Sequence, residues 1–322
     1  MITAPLPEDV HRAIDKIKSL RDGDLGVLYA IWCGARAIPA LRALLFDREP
    51  SGIFEVRCRA VEALAELGAY DVLVEFLSSP PKATDPVERV GNDAVINAAA
   101  LALGQLRDER AFWLLMTLAK RRLMPGVIAA LGAFRRLEAI PYLIGALAED
   151  DSRFSAERAL RKLGVAARPS LMVAVTGPLS EAVSETEMRA LRSALGLLIL
   201  IGISPGTWPA LRHLMHHQDP TISVLACKAC LATAPSSEAR DAILRLISLL
   251  SDAGWLLSDD IERCLVNHFD AARELIAAAM AGHVATPNDG RGIGRRAMEA
   301  LVRVKTRADS ETRLAAARAH HG

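Results

Sequence analysis

Cys227 and Cys230 stand two residues apart. That spacing lets two thiolates grip one metal ion or cycle as a redox pair. A structural zinc needs four ligands, and a second Cys pair is missing from the sequence. A redox pair needs a strand running into a helix, whereas Ile222–Ala234 reads as helix throughout and sets both thiols on its apolar face. Core cysteines are the expectation. His213, His216 and His217 have helical spacing that could turn two imidazoles toward a metal. The nearest carboxylate, Asp219, stands directly before Pro220, where it is better used as a helix cap. No metal and no cofactor are expected. Gly290-Arg-Gly-Ile-Gly294-Arg295-Arg296 precedes a helical pattern and has the ingredients of an anion nest. It lacks a preceding strand and a Gly-Lys-Ser/Thr ending, so it reads as a flexible hinge. No Ser/His/Asp set or carboxylate pair can be assembled by any spacing rule, and the expectation is a chain that is not an enzyme.

Basic residues carry the remaining chemistry. The net charge is +1, so the chain as a whole is no magnet for polyanions. From Arg107 to Arg168, however, twelve basic residues face seven acidic ones. Arg121 and Arg122, then Arg135 and Arg136, then Arg158, Arg161 and Lys162 recur about once per helical hairpin. Stacked hairpins would bring them into register as a basic stripe, fit for an acidic protein segment or a phosphate backbone. The plainer alternative is solvated helix ends, where cations complement the helix dipole. These seven residues are the expected contact set, with the stretch Pro80–Asp93, read as a long loop, as a side wall. A dedicated nucleic-acid domain is far more basic, so another protein ranks ahead of nucleic acid as the expected partner.

The elements that position these residues follow a repeating grammar. Ala139–Gly164 opens with Ala-Ile-Pro, breaks at the acidic turn Glu149-Asp150-Asp151-Ser152, and closes at Leu163-Gly164. Ile140, Leu143, Ile144 and Leu147 fall at i, i+3, i+4 and i+7, an apolar stripe on one helix face. Pro141 sits in the first turn, where its missing N–H costs nothing. The same grammar runs through Ala37–Gly68 and, more loosely, Trp208–Ala234. One hairpin cannot bury both faces, so neighbours must stack. Apolar residues make up 51% of the chain but aromatics only 4%, a composition suited to thin Ala- and Leu-rich helices in close contact. The expected fold is all-α, an α-solenoid or superhelix of stacked antiparallel helix pairs. Closures are expected at Gly34, Gly68, Gly104, Gly132, Gly164, Gly202 and Ala234. Besides Ser78–Asp93, the stretches Thr176–Glu187 and Ala281–Gly294 interrupt the pattern. The expected organisation is a solenoid over 1–282, a Gly-rich hinge over 283–294 and a capping helix with a polar tail over 295–322. The start carries acids early and has no apolar secretory core, and the five cysteines are odd in number and scattered. A cytoplasmic chain with reduced thiols and no membrane association is expected.

The closures step by 28 to 38 residues, which departs from the fixed periods of ankyrin and tetratricopeptide repeats. The form A-I-P-x-L-x-x-x-L, an acidic turn and a second helix ending in L-G resembles HEAT repeats, in particular the short HEAT-like repeats of the phycobilin lyase class. The likeness covers most of Ala37–Ala234 and is best at Ala37–Gly68 and Ala139–Gly164. It implies a binding surface along the second helices of successive repeats. The leading expectation is a non-catalytic scaffold or adaptor binding another protein on the concave face. Alternatives implied by the likeness are a chromophore lyase or chaperone subunit and a nucleic-acid-binding protein. Alkylpurine DNA glycosylases with HEAT-like repeats use a basic concave cradle, but their catalytic residues have no match here. The HEAT-fold di-iron hydroxylases use His-Glu pairs, and no His-Glu dipeptide occurs in this chain.

Overall fold

The computed structural model describes residues 7–47, 54–80, 85–178, 184–233, 236–282 and 294–319. Among them no strand occurs, and the helices pair into stacked antiparallel hairpins, so the chain is an all-α protein of α-solenoid type. It divides into two compact units, Met1–Ser170 and Leu171–Gly322.

Among the described residues the first unit holds ten α-helices: α1 (Pro7–Lys18), α2 (Gly23–Cys33), α3 (Ile38–Phe46), α4 (Glu55–Glu66), α5 (Tyr70–Ser78), α6 (Pro86–Leu106), α7 (Glu109–Arg121), α8 (Pro125–Phe134), α9 (Ile140–Gly145) and α10 (Asp150–Leu163). Even-numbered helices are the second members of their hairpins, and each packs on the next: α2 on α4, α4 on α6, α6 on α8, α8 on α10. The first members touch one another far less, so the second-helix layer is the tighter side of the stack. Small residues let the backbones close up. A side-chain carbon on Gly104 would lie 2.9 Å from the Ala130 Cα, and one on Gly132 would lie 2.4 Å from the Ala159 Cβ. The Gly126 N–H donates to the Asn97 side chain at 2.8 Å, and the buried Ser152 hydroxyl donates to the Leu123 carbonyl. Contact positions advance together along α6 and α8, so these second helices run parallel.

Gly34 turns the chain at φ 65° between α2 and α3. The stretch Gly23–Phe46 has the length and apolar content of a membrane span. That break leaves helices of 11 and 9 residues, each well short of the roughly 20 needed to cross a bilayer.

After α11 (Arg168–Thr176), the second unit continues with α12 (Glu185–Ile201), α13 (Trp208–Leu211), α14 (Pro220–Thr233), α15 (Ser236–Leu249), α16 (Trp255–Asn267), α17 (Phe269–Met280) and α18 (Arg295–Ala319). Ser184 and Glu187 form a reciprocal capping box that starts α12. Asp219 caps α14 by accepting the Ile222 N–H at 3.0 Å, and Arg192 of α12 donates to the same carboxylate. Burial pushes the Asp219 carboxyl up, but the bonds from Arg192 and the cap bring it below the usual range. Trp208 is fully buried and its indole N–H donates to Glu238 of α15. Lys228 of α14 holds Asp260 of α16 at 2.5 Å. The last helix lies on α16 and α17, with Ala297, Ala300, Leu301 and Val304 buried. Its Arg303 clasps the buried Glu262 at 2.7 Å, and Arg307 adds a second cation at 3.6 Å.

Two readings of the sequence change here. The expected side wall Pro80–Asp93 is not one long loop. Asp85 caps α6 by accepting the Glu88 N–H at 2.9 Å, and Pro86 begins the helix, so Asp-Pro here is a helix start rather than loop punctuation. Residues 81–84 lie outside the described set, as do 179–183 and the hinge residues 283–293. Gly104 and Gly132 do not close their helices; both lie inside them, as contact points between second helices. Closure falls three residues later, at Arg107 and Arg135. Gly34, Gly68, Gly164 and Gly202 do adopt positive φ, and Ala234 lies outside the described residues.

Gly126→Ala should cost about 1–3 kcal/mol, because the new methyl collides with the Asn97 backbone at 2.5 to 2.8 Å. Gly196→Ala, inside α12 with open space around it, should instead gain about 0.5–1 kcal/mol. Urea unfolding of both variants checks the pair. Truncation of residues 288–322 should destabilise the second unit by about 3–5 kcal/mol, since it strips both arginines from buried Glu262, and should promote aggregation through the uncovered apolar face. Melting and light scattering of the shortened chain measure both effects.

Candidate functional site

The seven basic residues fall on two edges of the first unit. Hairpin partners run in opposite directions, so the C-terminal end of α7 and the C-terminal end of α8 lie at opposite edges. Arg121 ends α7 and Arg122 caps it. Arg122 is committed to Asp93 of α6 through two bonds, at 2.8 and 2.7 Å. Both arginines border a cleft of about 570 Å³ that also includes Glu149 and Asp151. They are not brought together with the other five.

Arg135, Arg136, Arg161 and Lys162 share the opposite edge, where the parallel helices α8 and α10 end. Arg107, at the end of α6, joins them, and Arg107, Arg135 and Arg136 line a hollow of about 370 Å³ with Phe134 and Glu109. Arg107 and Arg135 hold left-handed backbones, φ 51° and 53°. Such a conformation costs a non-glycine residue about 1–2 kcal/mol. Arg136 is held within the fold: it pairs with Glu138 at 2.6 Å and Glu109 at 3.6 Å, and its guanidinium lies 4.2 Å from the Phe112 ring centre and 5.3 Å from that of Trp113. The Glu138 bond raises the Arg136 pKa and lowers that of Glu138. Arg107, Arg135, Arg158, Arg161 and Lys162 are exposed and form no ion pair among the described residues. On α10, Phe154, Arg158 and Arg161 fall at i, i+4 and i+7, and Phe154 is 72% exposed. The edge therefore offers separate cations, and Phe154 lies on the same face of α10 as Arg158 and Arg161, nearer the helix start.

Arg107 and Phe154 were absent from the expected contact set. Gly104-Gln-Leu-Arg107 and Gly132-Ala-Phe-Arg135 repeat one spacing, Gly-x-x-Arg, which links the contact glycine to the closing arginine. That repeat is the signal for Arg107. Phe154 has no comparable signal, because an aromatic residue in a helical pattern is ordinarily read as core.

Cys227 and Cys230 lie in α14 and are fully buried, with Cys264 of α16 nearly so. Burial raises all three thiol pKa values, those of Cys230 and Cys264 to about 11. His213 and His216 lie in the short turn after α13, and the Asp219 N–H donates to His217 Nδ1 at 2.9 Å. Among the described residues no group of three His, Cys, Asp or Glu side chains is disposed to hold a metal ion.

The chain matches no protein-family model and no curated protein. Among solved structures it is similar to the CpcE–CpcF complex of phycocyanin lyase from Nostoc sp. PCC7120, at 25% identity and a TM-score of 0.35. That match covers 78% of this chain and 97% of the matched chain. It falls in the class whose repeat the sequence resembles. The expectation of a chain that is not an enzyme is withdrawn on this finding, because the matched complex is a lyase.

At pH 8 a thiol with a pKa near 11 is ionised in about one molecule per thousand, so Cys230 and Cys264 should resist a disulfide reagent until the fold opens. Timed labelling with and without denaturant, read by peptide mass spectrometry, checks this. Half-buried Cys58 should label first among Cys58, Cys230 and Cys264.

Proposed function

We propose that this chain is a lyase- or chaperone-type subunit in chromophore attachment or handling, and that it works by holding a protein partner against the second-helix edge of its first unit. The kinship of the repeat supports the chromophore part of the reading: Ala37–Gly68 and Ala139–Gly164 resemble the short HEAT-like repeats of the phycobilin lyase class. The observation that carries the partner part is the row of cations toward the ends of α6, α8 and α10 that form no ion pair among the described residues, with the exposed ring of Phe154 on the same face of α10 as Arg158 and Arg161. Unpaired cations around an apolar contact suit an acidic protein segment, since no internal ion pair has to break on binding. Arg135, Arg158, Arg161 and Lys162 are the proposed contacts, with Arg107 beside them. Arg136 acts by bracing Phe112 and Trp113, and Arg121 and Arg122 belong to the other edge. Five free cysteines accord with a reducing cytoplasm.

Two measurements test the reading. Purified chain mixed with an open-chain tetrapyrrole should shift the pigment's absorbance, and affinity capture from the source cell should recover a defined acidic protein. Neutralising Arg158, Arg161 and Lys162 to Gln should weaken that capture about tenfold or more while leaving helical content unchanged. Arg135→Gly should weaken capture too, yet stabilise the chain by about 1 kcal/mol by relieving its left-handed backbone. An unmoved pigment spectrum would sink the chromophore assignment. Capture that survives all four changes would sink the edge as the contact surface, and binding that collapses with salt and prefers nucleic acid would reassign it.

A further inference from the structure

The first unit carries a second surface, of opposite charge, that uses none of the basic residues above. Leu25, Leu28, Tyr29 and Trp32 of α2 fall at i, i+3, i+4 and i+7, and all are exposed, Leu28 at 63% and Trp32 at 44%. A terminal hairpin of a solenoid ordinarily turns a polar face outward, and an apolar stripe of this length marks a contact surface. Beside it, the first turn of α2 together with α4 and α6 bounds a groove of about 610 Å³. The floor is apolar, formed by Val61 and Ala65 of α4 and by Ala98, Leu101 and Ala102 of α6. Four carboxylates rim it: Asp24, Glu55, Glu62 and Glu66. Among the described residues the one cation lining the groove is spent, because Arg59 pairs with Asp24 at 3.2 Å and donates to the Ile17 and Ser19 carbonyls. Glu55, Glu62 and Glu66 form no ion pair among the described residues. Asp24 and Leu28 stand one turn apart on the same face of α2, so stripe and groove are continuous.

We propose that this groove docks a basic amphipathic helix of a partner protein. Leu101 and the alanines around it are small enough to admit an apolar helix stripe, and Leu28 and Trp32 extend that bed along α2. The free carboxylates stand where the flanking Lys or Arg side chains of such a helix reach out. Glu55 and Glu66 are eleven residues apart on α4, about 16 Å at 1.5 Å per residue, which matches a docked segment of three turns. A lipid surface would suit the apolar stripe alone, but the carboxylate rim repels anionic headgroups.

The probe is a synthetic 14-residue Leu/Lys peptide with Leu at i, i+3, i+4 and i+7, titrated by calorimetry into the full chain alongside its Leu/Glu counterpart. The Leu/Lys peptide should bind and the Leu/Glu peptide should not. Glu62→Gln with Glu66→Gln should weaken binding about tenfold or more, and Leu28→Ser with Leu101→Ser should weaken it comparably. The Arg158, Arg161 and Lys162 to Gln variant should bind the peptide unchanged, which separates a failure here from a failure of the basic edge. If the leucine pair unfolds the chain, the exposed glutamates carry the test. Equal binding by the Glu62/Glu66 variant, or no binding by the native chain, overturns the proposal. So does a dimer by light scattering that those substitutions break up, which would give the groove to a second copy. Uptake onto zwitterionic vesicles that depends on Leu28 would assign it to lipid instead.

Discussion

Everything in the first unit depends on how closely its second helices approach. Gly104 against Ala130, Gly126 against Asn97 and Gly132 against Ala159 leave no room for even one more methyl. Close approach of that kind replaces large aromatic cores with many short contacts, each weak and collectively large. It also fixes the lengthwise register of neighbouring helices, because a glycine must meet a particular backbone atom of the next helix. Only with that register set do the ends of α6, α8 and α10 fall on one edge and the faces of α2, α4 and α6 share one groove. The low aromatic content is thus a condition of the architecture.

Ion pairs between neighbouring hairpins repeat this register in polar form. Arg42 with Glu75, Arg59 with Asp24, Arg122 with Asp93, Arg192 with Asp219 and Lys228 with Asp260 are separated by 27 to 35 residues, about one repeat. The exposed pairs among them contribute little to stability, whereas Arg59, Arg192 and Lys228 are half-buried. Their value is in specificity: a hairpin slipped along its neighbour would leave each charge facing the wrong side chain. Glu262 is the exception in energy, since it is buried and both Arg303 and Arg307 pair with it.

Much of this was legible in the residue string. Ala-Ile-Pro at Ala37 and Ala139 and Leu-Gly at Gly68 and Gly164 mark helix starts and left-handed closures, because those positions obey local rules of capping and propensity. Gly104 and Gly132 obeyed a different rule. A glycine that ends a helix and a glycine that admits another helix look alike in sequence, and only the neighbour three dimensions away distinguishes them. Asp85-Pro86 failed for a related reason, since the pair that starts a helix also punctuates a loop. The basic residues were found by their recurrence, but which edge each occupies depends on helix direction, which recurrence does not encode. The groove went unread because its parts lie on three helices that are far apart in the sequence.

Alternation of direction also sets an electrical pattern along each edge of the first unit. Second helices all end on the same edge, where first helices begin. A helix carries about half a positive charge at its start and half a negative charge at its end. The edge that holds Arg107, Arg135 and Arg161 is therefore two parallel rails, one of helix ends and one of helix starts, running side by side along the stack. The arginines at the ends of α6 and α8 sit on the negative rail and reverse its sign. A row of partial negative charge becomes a row of full positive charge beside a rail already positive. A few side chains at helix ends thus make the stretch from α6 to α10 cationic, with Glu109 and Glu138 set against Arg136 within it.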